Sequence, residues 1–412
     1  MDGFFSTIEL ATAAPAGCSG CGLYKTCLHP KMEPSGDGDK RILIVAEAPG
    51  EEEDVRGTQL IGKAGQRLRD TLVKFGISLS RDCRKINSVN CRPLKNRAPT
   101  PQEIAACRSM ILQEAENHKP HLVILLGQSA ITSWFSHRYH DVDGAPALSR
   151  VRGIVIPDWE MGCWVLATFH PSYVMRMDYD PVVDLIWRKD LAKAIDFLGV
   201  SGPENPDPQR YIRTTSDPVK IGGFLGDIRV RKPTIAVDYE TTGLKPHRAG
   251  HHVYSMAISV TPTLSISFRC GPDQPGWVHG GDLRGMWRQI LQDKTIKKVV
   301  HNIGFEWVWS MSYFGVEMQN VEDTRLLVHL EDCRRSYTDL KFQGMLKYGI
   351  LGYEDSVKPF LEGKLNKAEE RFGENAFNCI REAPIGDLLR YNAMDALITR
   401  WLYFRQKGIP YA

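Results

Sequence analysis

The sequence lacks the features that mark membrane, secreted and disordered proteins. It has no run of about eighteen apolar residues, so no membrane-spanning helix is predicted. Its first residues lack the basic start of a secretory signal, and we therefore expect an intracellular protein. We find no internal repeat and no low-complexity tract. The net charge is only +3, so overall charge does not indicate a nucleic-acid partner.

The chain does have the length and composition for two folded domains. Its 412 residues exceed the roughly 100–200 residues that one domain usually takes. The hydrophobic share of 42% and the charged share of 25% are typical of a globular protein. Residues 199–210 are rich in proline and have no apolar periodicity, which predicts a linker. We therefore expect one domain over 1–198 and a second over 211–412.

Both domains are predicted to be α/β, because apolar runs alternate with helical patterns. The first domain has predicted strands at 42–45, 121–126 and 164–167, with helices at 64–75 and 101–116. The second has predicted strands at 234–238, 253–260 and 264–268, with helices at 282–292, 306–314, 324–330 and 385–405. Parallel sheets bind ligands at the carboxyl ends of their strands, so the loops after the first three strands should face one cleft.

Acidic residues in the second domain have spacings that suit a metal site. Asp238 and Glu240 alternate on a predicted strand, so their carboxylates share one side of it. Tyr391 and Asp395 lie four positions apart in a helical pattern and share a face. Between these pairs, the segment from His301 to Glu306 opens another helix. Each pair alone is more often a solvated strand end or helix surface.

In this order the motifs resemble those of DEDD 3′-5′ exonucleases, and most of all the proofreading domain of family A DNA polymerases. The resemblance spans about 230–405 and includes Asp238-Tyr-Glu-Thr-Thr-Gly-Leu244. It implies a ribonuclease H-like (DnaQ-like) fold and two Mg²⁺ or Mn²⁺ ions for removing nucleotides from a DNA 3′ end. It assigns metal ligation to Asp238, Glu240 and Asp395, and orientation of the attacking water to Tyr391.

Glu306 departs from this pattern, since the family normally has aspartate there. The longer side chain still reaches a metal, but it shifts the expected geometry of the site. Asp323 is a weaker substitute, and we expect it to cap a helix instead.

The ten cysteines suggest metal or cluster ligation more than disulfides in a chain of this class. Cys18 and Cys21 are separated by two residues, and Cys91 and Cys107 by fifteen. Four such thiolates suit either a zinc ion or a [4Fe-4S] cluster, and spacing does not decide between them. Two further cysteines are plausible substitutes, namely Cys27 and Cys83. The rest are expected as buried free thiols, namely Cys163, Cys270, Cys333 and Cys379.

The motifs around these cysteines resemble the family 4 uracil-DNA glycosylases over about 15–198. They are Ala46-Glu-Ala-Pro-Gly50, Gly62-Lys-Ala-Gly65, Asn87-Ser-Val-Asn-Cys-Arg-Pro93 and His170-Pro-Ser-Tyr173. The resemblance implies a parallel-sheet glycosylase-like fold and a [4Fe-4S] cluster on the four cysteines. It also implies excision of uracil by hydrolysis of the N-glycosidic bond, after the base has been flipped out of the stack.

The resemblance assigns roles to three polar residues. Asn87 would read the Watson–Crick edge, because its amide offers both a donor and an acceptor. His170 would stabilise the departing uracil, and Glu47 would position water or support the cationic sugar. Taken singly, these residues are more often a turn cap, a packed histidine and a solvated acid.

Two departures from the glycosylase pattern bear on uracil affinity. Leu60 stands where an aromatic residue is usual, so it would cover the uracil face without stacking, and Ala46 replaces a glycine. Tyr173 is expected to enter the gap left by the flipped base. The residues expected to meet DNA phosphates are Lys63, Arg92, Arg97 and Arg176.

Three functional hypotheses follow from these motifs. The first is a bifunctional enzyme that excises uracil from DNA and degrades DNA from 3′ ends. The second makes the first domain a uracil- or DNA-binding module, which Leu60 and Ala46 leave open. The third makes the chain a proofreading subunit for a separate DNA polymerase, since its second half resembles a domain that is usually fused to one. A phage or other prokaryotic origin suits such a split arrangement.

Overall fold

The computed structural model describes residues 17–138, 145–177, 180–361 and 377–409. The chain divides into two compact units, Met1–Asn205 with Met345–Gly349, and Pro206–Gly344 with Ile350–Ala412. Between two short 3₁₀ turns, residues 200–207 have no regular secondary structure. Within the described ranges, no helix is both long and apolar enough to cross a membrane.

The first unit is built on a five-stranded sheet with the strand order β2-β1-β3-β5-β4. Its strands are β1 Ile42–Ala46, β2 Cys83–Asn87, β3 Leu122–Leu126, β4 Val155–Asp158 and β5 Cys163–Thr168. Only β4, at one edge, is antiparallel to its neighbour. Its helices are α1 Gly17–Cys21, α2 Glu51–Arg56, α3 Lys63–Val73, α4 Pro101–His118, α5 Gln128–Phe135, α6 Leu148–Val151, α7 Pro171–Arg176 and α8 Pro181–Asp196.

The three predicted strands of this unit form its centre. Every residue of β1 and β3 is buried, which explains their unbroken apolar runs. Strand β2 was not predicted, because its sequence Cys-Arg-Lys-Ile-Asn shows no apolar run. Most of its residues are nevertheless buried in the fold, and Lys85 is only 4% exposed. The parallel register sets Ala46 opposite Asn87, so β1 and β2 end together.

The second unit is built on a six-stranded mixed sheet with the order β11-β10-β7-β8-β9-β6. Its strands are β6 Ile212–Thr214, β7 Ile235–Thr241, β8 Val253–Thr261, β9 Leu264–Arg269, β10 Lys298–Val300 and β11 Val321–Asp323. Strand β8 is antiparallel to both β7 and β9, and the other pairs are parallel. Its helices are α9 Pro218–Arg231, α10 Asp282–Gln292, α11 Ile303–Trp309, α12 Thr324–Glu331, α13 Leu340–Tyr348, α14 Lys358–Leu361 and α15 Ile385–Gln406.

Two differences from the predicted elements affect the acidic motifs. Strand β7 continues to Thr241, so Asp238 and Glu240 both lie inside the strand and alternate with buried residues. Helix α11 begins at Ile303, before the predicted start at Glu306, and passes into a π-helical turn at Ser310–Phe314. Helix α15 packs against β7, β8 and β9. Its 22 residues are mostly buried, which is why it shows little amphipathic pattern.

Candidate active sites

Polar residues meet at the carboxyl edge of the first sheet, as the strand-loop pattern predicted. Glu47 directly follows β1, Asn87 is the last residue of β2, and His170 lies two residues after β5. Ser129, in α5 just after β3, donates its hydroxyl to Glu47 Oε2 at 3.3 Å. Four neighbouring parallel strands thus each contribute to one edge of the sheet.

The Asn87 side chain is 1% exposed, and its amide nitrogen has no hydrogen-bond partner among the described residues. The backbone is fixed, because the Asn87 N–H donates to Asn90 Oδ1 at 3.2 Å. A buried donor without an acceptor costs about 1–3 kcal/mol. Such a group is a candidate for pairing with a ligand oxygen.

His170 is held as a neutral donor by its own helix terminus. It caps α7, and its Nδ1 accepts the Ser172 backbone N–H at 3.2 Å, so Nε2 carries the ring hydrogen. Although the side chain keeps some exposed surface, desolvation and then the positive Arg176 lower its pKa to about 4. At Gly127, after β3, φ is +88°, a left-handed value that favours glycine. A Cβ at this position would also lie 3.3 Å from His170 Cβ, a tight contact that glycine avoids.

Leu60 lies in the sheet core at 3% exposed, with a left-handed φ of +55° that is unusual for leucine. Glu53 secures this turn, since its carboxylate accepts the Gly50 N–H at 2.6 Å and the backbone N–H groups of Leu60 and Ile61. A Cβ at Gly65 would overlap the Leu60 carbonyl oxygen at 1.9 Å. No role was predicted for Glu53, because a glutamate in the first turn of a helix is common in helices of every kind.

The expected DNA-contacting residues differ in how freely they present their charge. Lys63, Tyr173 and Arg176 are exposed, and the Tyr173 ring packs on Phe169 with centroids 4.9 Å apart. Lys63 begins α3, while the other two lie on α7 beside His170.

The two remaining arginines have protein partners. Arg92 donates through Nε to Asn96 Oδ1 at 2.7 Å. Arg97 forms a forked pair with Glu103 at 2.6 and 2.9 Å, and that carboxylate also accepts the Thr100 N–H in a capping box. The charge of Arg97 is therefore largely compensated, which only the tertiary structure reveals.

Four cysteines lie in or against one small apolar cluster, and a fifth, Cys18, is close enough to affect Cys107. Cys91 and Cys107 are buried in it, and Cys21 and Cys27 pack against it. The Lys31 N–H donates to Cys91 Sγ at 3.2 Å, and the Asn90 backbone bonds the Cys107 thiol. Burial raises the pKa of the Cys91 thiol to about 12, and nearby Cys27 adds to the rise. Nearby Cys21 and Cys18 likewise add to the raised pKa of Cys107, after burial.

The other cysteines correct parts of the sequence analysis. Cys83 lies in the core of the sheet, apart from this cluster, so its proposed role as a substitute ligand is wrong. Cys163 and Cys270 are buried as expected. Cys333 is exposed and Cys379 half-buried, contrary to the expectation of buried thiols.

In the second unit, three carboxylates meet at one point. Oxygens of Asp238, Glu240 and Asp395 lie within 4.8 Å of one another, a group able to hold a metal ion. Strand β7 supplies the first two and α15 the third. Burial raises the pKa of Asp238 and Glu240 well above the usual range, and the like charges raise it further. Oxygen ligands of this kind suit a hard divalent cation.

Glu306, on α11, is not one of the three carboxylates that meet, although the charge of Asp238 affects it. It is 3% exposed, and its Oε2 has no hydrogen-bond partner in the described part of the chain. Burial raises its pKa well above the usual range, and Asp238 is the next cause. Its buried, unpaired oxygen is available to a ligand, but it lies outside the group of oxygens within 4.8 Å of one another.

Asp323 caps a helix, as predicted. Its carboxylate accepts the Arg325 N–H at 2.8 Å at the start of α12. It also accepts the backbone N–H groups of Asn302 and Ile303, at 2.9 and 3.0 Å. With these three bonds it fixes the start of α11, and thereby the path of the helix that carries Glu306.

Three residues at this site were not found in the sequence. Lys341 Nζ lies 2.7 Å from Asp395 Oδ2, and the Tyr353 hydroxyl donates to Asp395 Oδ1 at 2.5 Å. Asn392 Nδ2 donates to Asp238 Oδ2 at 2.6 Å. Tyr391 is 6% exposed, and its ring stacks on Tyr353 at 5.9 Å. No local spacing signals these contacts, because each joins residues far apart in the chain.

Comparison with known proteins divides the chain in the same way. Residues 33–191 match the family model described as the uracil DNA glycosylase superfamily. Residues 228–405 match a model described as a 3′-5′ exonuclease. The two parts are thus those of a glycosylase and a nuclease, both hydrolase classes.

Individual relatives indicate which type of glycosylase the first half is. A type-4 uracil-DNA glycosylase of Thermotoga maritima is 36% identical over 196 residues, 47% of this chain and 96% of that protein. The type-4 enzyme of Archaeoglobus fulgidus is 30% identical over 188 residues, 45% of this chain and 90% of that protein. The chain therefore belongs to the type-4 uracil-DNA glycosylase family through its first half, with a 3′-5′ exonuclease domain in its second.

A third relative spans both halves. A DNA polymerase of Bacillus phage SP01 is 24% identical over 369 residues. The match takes 83% of this chain but only 38% of the polymerase.

Proposed function

We propose that this chain is a bifunctional DNA enzyme, which hydrolyses the N-glycosidic bond of deoxyuridine and removes nucleotides from 3′ ends. For the first activity the supporting observation is the unpartnered Asn87 amide and the neutral His170, both at the carboxyl edge of the first sheet. For the second it is the carboxylate group of Asp238, Glu240 and Asp395. We also propose the boundaries 1–198 and 211–412 for the two domains, with 199–210 as the linker.

In the glycosylase half, Asn87 Nδ2 donates to a carbonyl oxygen on the Watson–Crick edge of the flipped uracil. His170 Nε2–H donates to the oxygen that becomes negative as the bond to the sugar breaks. A neutral histidine suits this role, because its hydrogen stays on Nε2 at neutral pH. Glu47 positions the water that adds to the sugar, which leaves uracil and an abasic site.

The flanking residues support DNA binding in this proposal. Lys63, Arg92, Arg97 and Arg176 would meet phosphates, and Tyr173 would fill the gap left by the base. Arg97 would act mainly through Glu103, to which it is already paired. Leu60 would form an apolar wall of the uracil pocket.

The cysteine site fits a [4Fe-4S] cluster held by Cys18, Cys21, Cys91 and Cys107. Two of these sulfurs already have backbone N–H donors, a type of bond that tunes cluster thiolates. Thiolate clusters persist in a reducing compartment, which supports an intracellular enzyme. An absorbance band near 400 nm that bleaches on reduction is expected, and stoichiometric zinc without iron would contradict this assignment.

In the exonuclease half, Asp238, Glu240, Glu306 and Asp395 would hold two Mg²⁺ or Mn²⁺ ions. When bound, such ions activate water and stabilise charge on the scissile phosphate. Tyr391 orients the attacking water, and Asn392 holds Asp238 in place.

One experiment separates the two activities. Uracil-containing oligonucleotides, single- and double-stranded, are incubated with the protein in Mg²⁺ or in EDTA. Alkali-labile sites should form in both buffers, while shortening from the 3′ end should need Mg²⁺. Tight uracil-DNA binding without base release would instead support the binding-module hypothesis.

A polymerase-associated role is the second candidate. It is favoured by the match to a phage DNA polymerase, because that match extends beyond the exonuclease half of this chain. In this role the chain proofreads for a separate polymerase, and a phage origin would suit it. Co-purification with a polymerase that lacks its own exonuclease would support the idea.

A further inference from the structure

A lysine contacts one member of the three-carboxylate group in the exonuclease half. Lys341, near the start of α13, places Nζ 2.7 Å from Asp395 Oδ2. The same ammonium lies 4.8 Å from the centroid of the Tyr391 ring. One cation therefore contacts two of the residues that α15 contributes to the site, Asp395 and Tyr391.

The surroundings of Lys341 explain why a cation is needed there. Three carboxylates whose oxygens approach within 4.8 Å repel one another strongly when charged. Asp395 is 3% exposed, so water screens this repulsion poorly. Lys341 supplies a compensating positive charge at Asp395.

Lys341 also engages the carboxylate that it stabilises. Its ammonium takes Asp395 Oδ2, and the Tyr353 hydroxyl takes Oδ1, so both oxygens of this carboxylate are engaged. Each oxygen keeps a lone pair for a metal, but a metal bound at Asp395 would lie close to the Lys341 ammonium, and the two positive charges would repel each other unless this donor withdraws. Lys341 is the one that can withdraw, because its side chain is 30% exposed and flexible.

We propose that Lys341 is a built-in counter-cation that competes with the divalent metal for Asp395 and thereby sets the metal affinity of the exonuclease site. This inference rests on the proposed metal-dependent function. A purely structural lysine that preorganised Asp395 would have the opposite effect, since removing it would weaken metal binding.

The test is a calorimetric Mn²⁺ titration of the full chain at pH 8, after metal removal and without DNA. Lys341→Met keeps the length of the side chain and removes the charge. We expect its dissociation constant for Mn²⁺ to fall at least tenfold below the wild-type value. We also expect its thermal midpoint without metal to fall by several degrees, and saturating Mn²⁺ to close most of that gap.

Three further variants complete the titration. Lys341→Gln provides a second neutral side chain should Lys341→Met fold poorly, and it should tighten binding in the same direction. Lys220→Met removes an exposed lysine on α9 and should leave Mn²⁺ binding unchanged. Asp238→Asn removes a proposed ligand and should weaken or abolish binding.

The outcomes distinguish the two levels of the argument. Unchanged or weaker Mn²⁺ binding by the neutral Lys341 variants, with normal wild-type binding, overturns the counter-cation role alone. No Mn²⁺ binding by the wild type, or binding that Asp238→Asn leaves intact, overturns the metal site and the counter-cation role together.

Discussion

Replacing Asn392 by leucine should disable the exonuclease while the glycosylase keeps working. Asn392 is fully buried on α15, three positions before Asp395. Its Nδ2 donates to Asp238 Oδ2 at 2.6 Å, and its Oδ1 accepts hydroxyls from Ser255 and Ser267 at 3.1 and 3.2 Å. It thus ties the carboxylate of Asp238, a proposed metal ligand, to two neighbouring strands, and leucine preserves the volume without any of these bonds.

The expected magnitudes follow from those contacts. A hydrogen bond to a charged group contributes about 1.5–3 kcal/mol, and buried hydroxyls without an acceptor add about 1 kcal/mol or more. We therefore expect the free energy of unfolding to fall by about 3–5 kcal/mol, or roughly 6–20 °C in the midpoint for a unit of this size. Losing a group that orients a metal ligand typically costs about 10- to 100-fold in activity.

The assay is single-turnover degradation of a 3′-labelled primer at 15 °C, well below the midpoint, with uracil release measured on the same preparation. Thr399→Val is the matched control, because Thr399 is fully buried on the same helix and its hydroxyl has no partner among the described residues. An Asn392→Leu rate within twofold of wild type would refute the positioning role. An equal loss in Thr399→Val would assign the effect to disturbance of the helix.

Three further predictions test other parts of the molecule. Asn87→Ala and His170→Ala should each lower uracil release at least 100-fold and leave primer degradation unchanged, as measured by alkaline cleavage and by the primer assay; release within threefold of wild type would contradict their roles. His170 should titrate near 4 by NMR of labelled histidine, because burial disfavours its charged form. Since the unfolded residue takes up its proton near 6.5, His170 opposes folding as pH falls from about 6.5 to 4, and titration near 6.5 in the folded protein would show the ring to be solvated. Lys298→Met should lower the free energy of unfolding by about 2–4 kcal/mol in denaturant titration, since its Nζ donates to the carbonyls of Ile290, Asp293 and Ile296; a change below 0.5 kcal/mol would show that water replaces it.

The sequence predicted the candidate site residues best where those residues share one short segment. Asp238 and Glu240 share a strand, and Tyr391 and Asp395 share a helix, so period-two and period-four spacing placed each pair correctly. The apolar runs of β1, β3 and β5 located the strands whose ends carry Glu47 and His170. These features are local, and local periodicity is visible in a sequence.

Strand β2 shows where local pattern fails. It lies beside β1 in the sheet, yet its polar sequence gave no strand signal. Lys85 is buried there because neighbouring segments cover it, and burial of that kind depends on packing that spacing does not encode. Asn87 was found as a motif residue expected near a strand end, but the strand that ends at it was not predicted.

The two halves, their motifs and the residue types of both sites were therefore determined by the sequence itself, since each motif folds as one strand end or one helix turn. Only the tertiary structure decided which partners those residues have. It pairs Arg97 with Glu103, frees the Asn87 amide, and sets Lys341, Tyr353 and Asn392 against carboxylates 42 to 154 residues away in the chain. The physical reason is that charge compensation and hydrogen bonding in a buried site depend on distance in space, which a linear pattern does not contain.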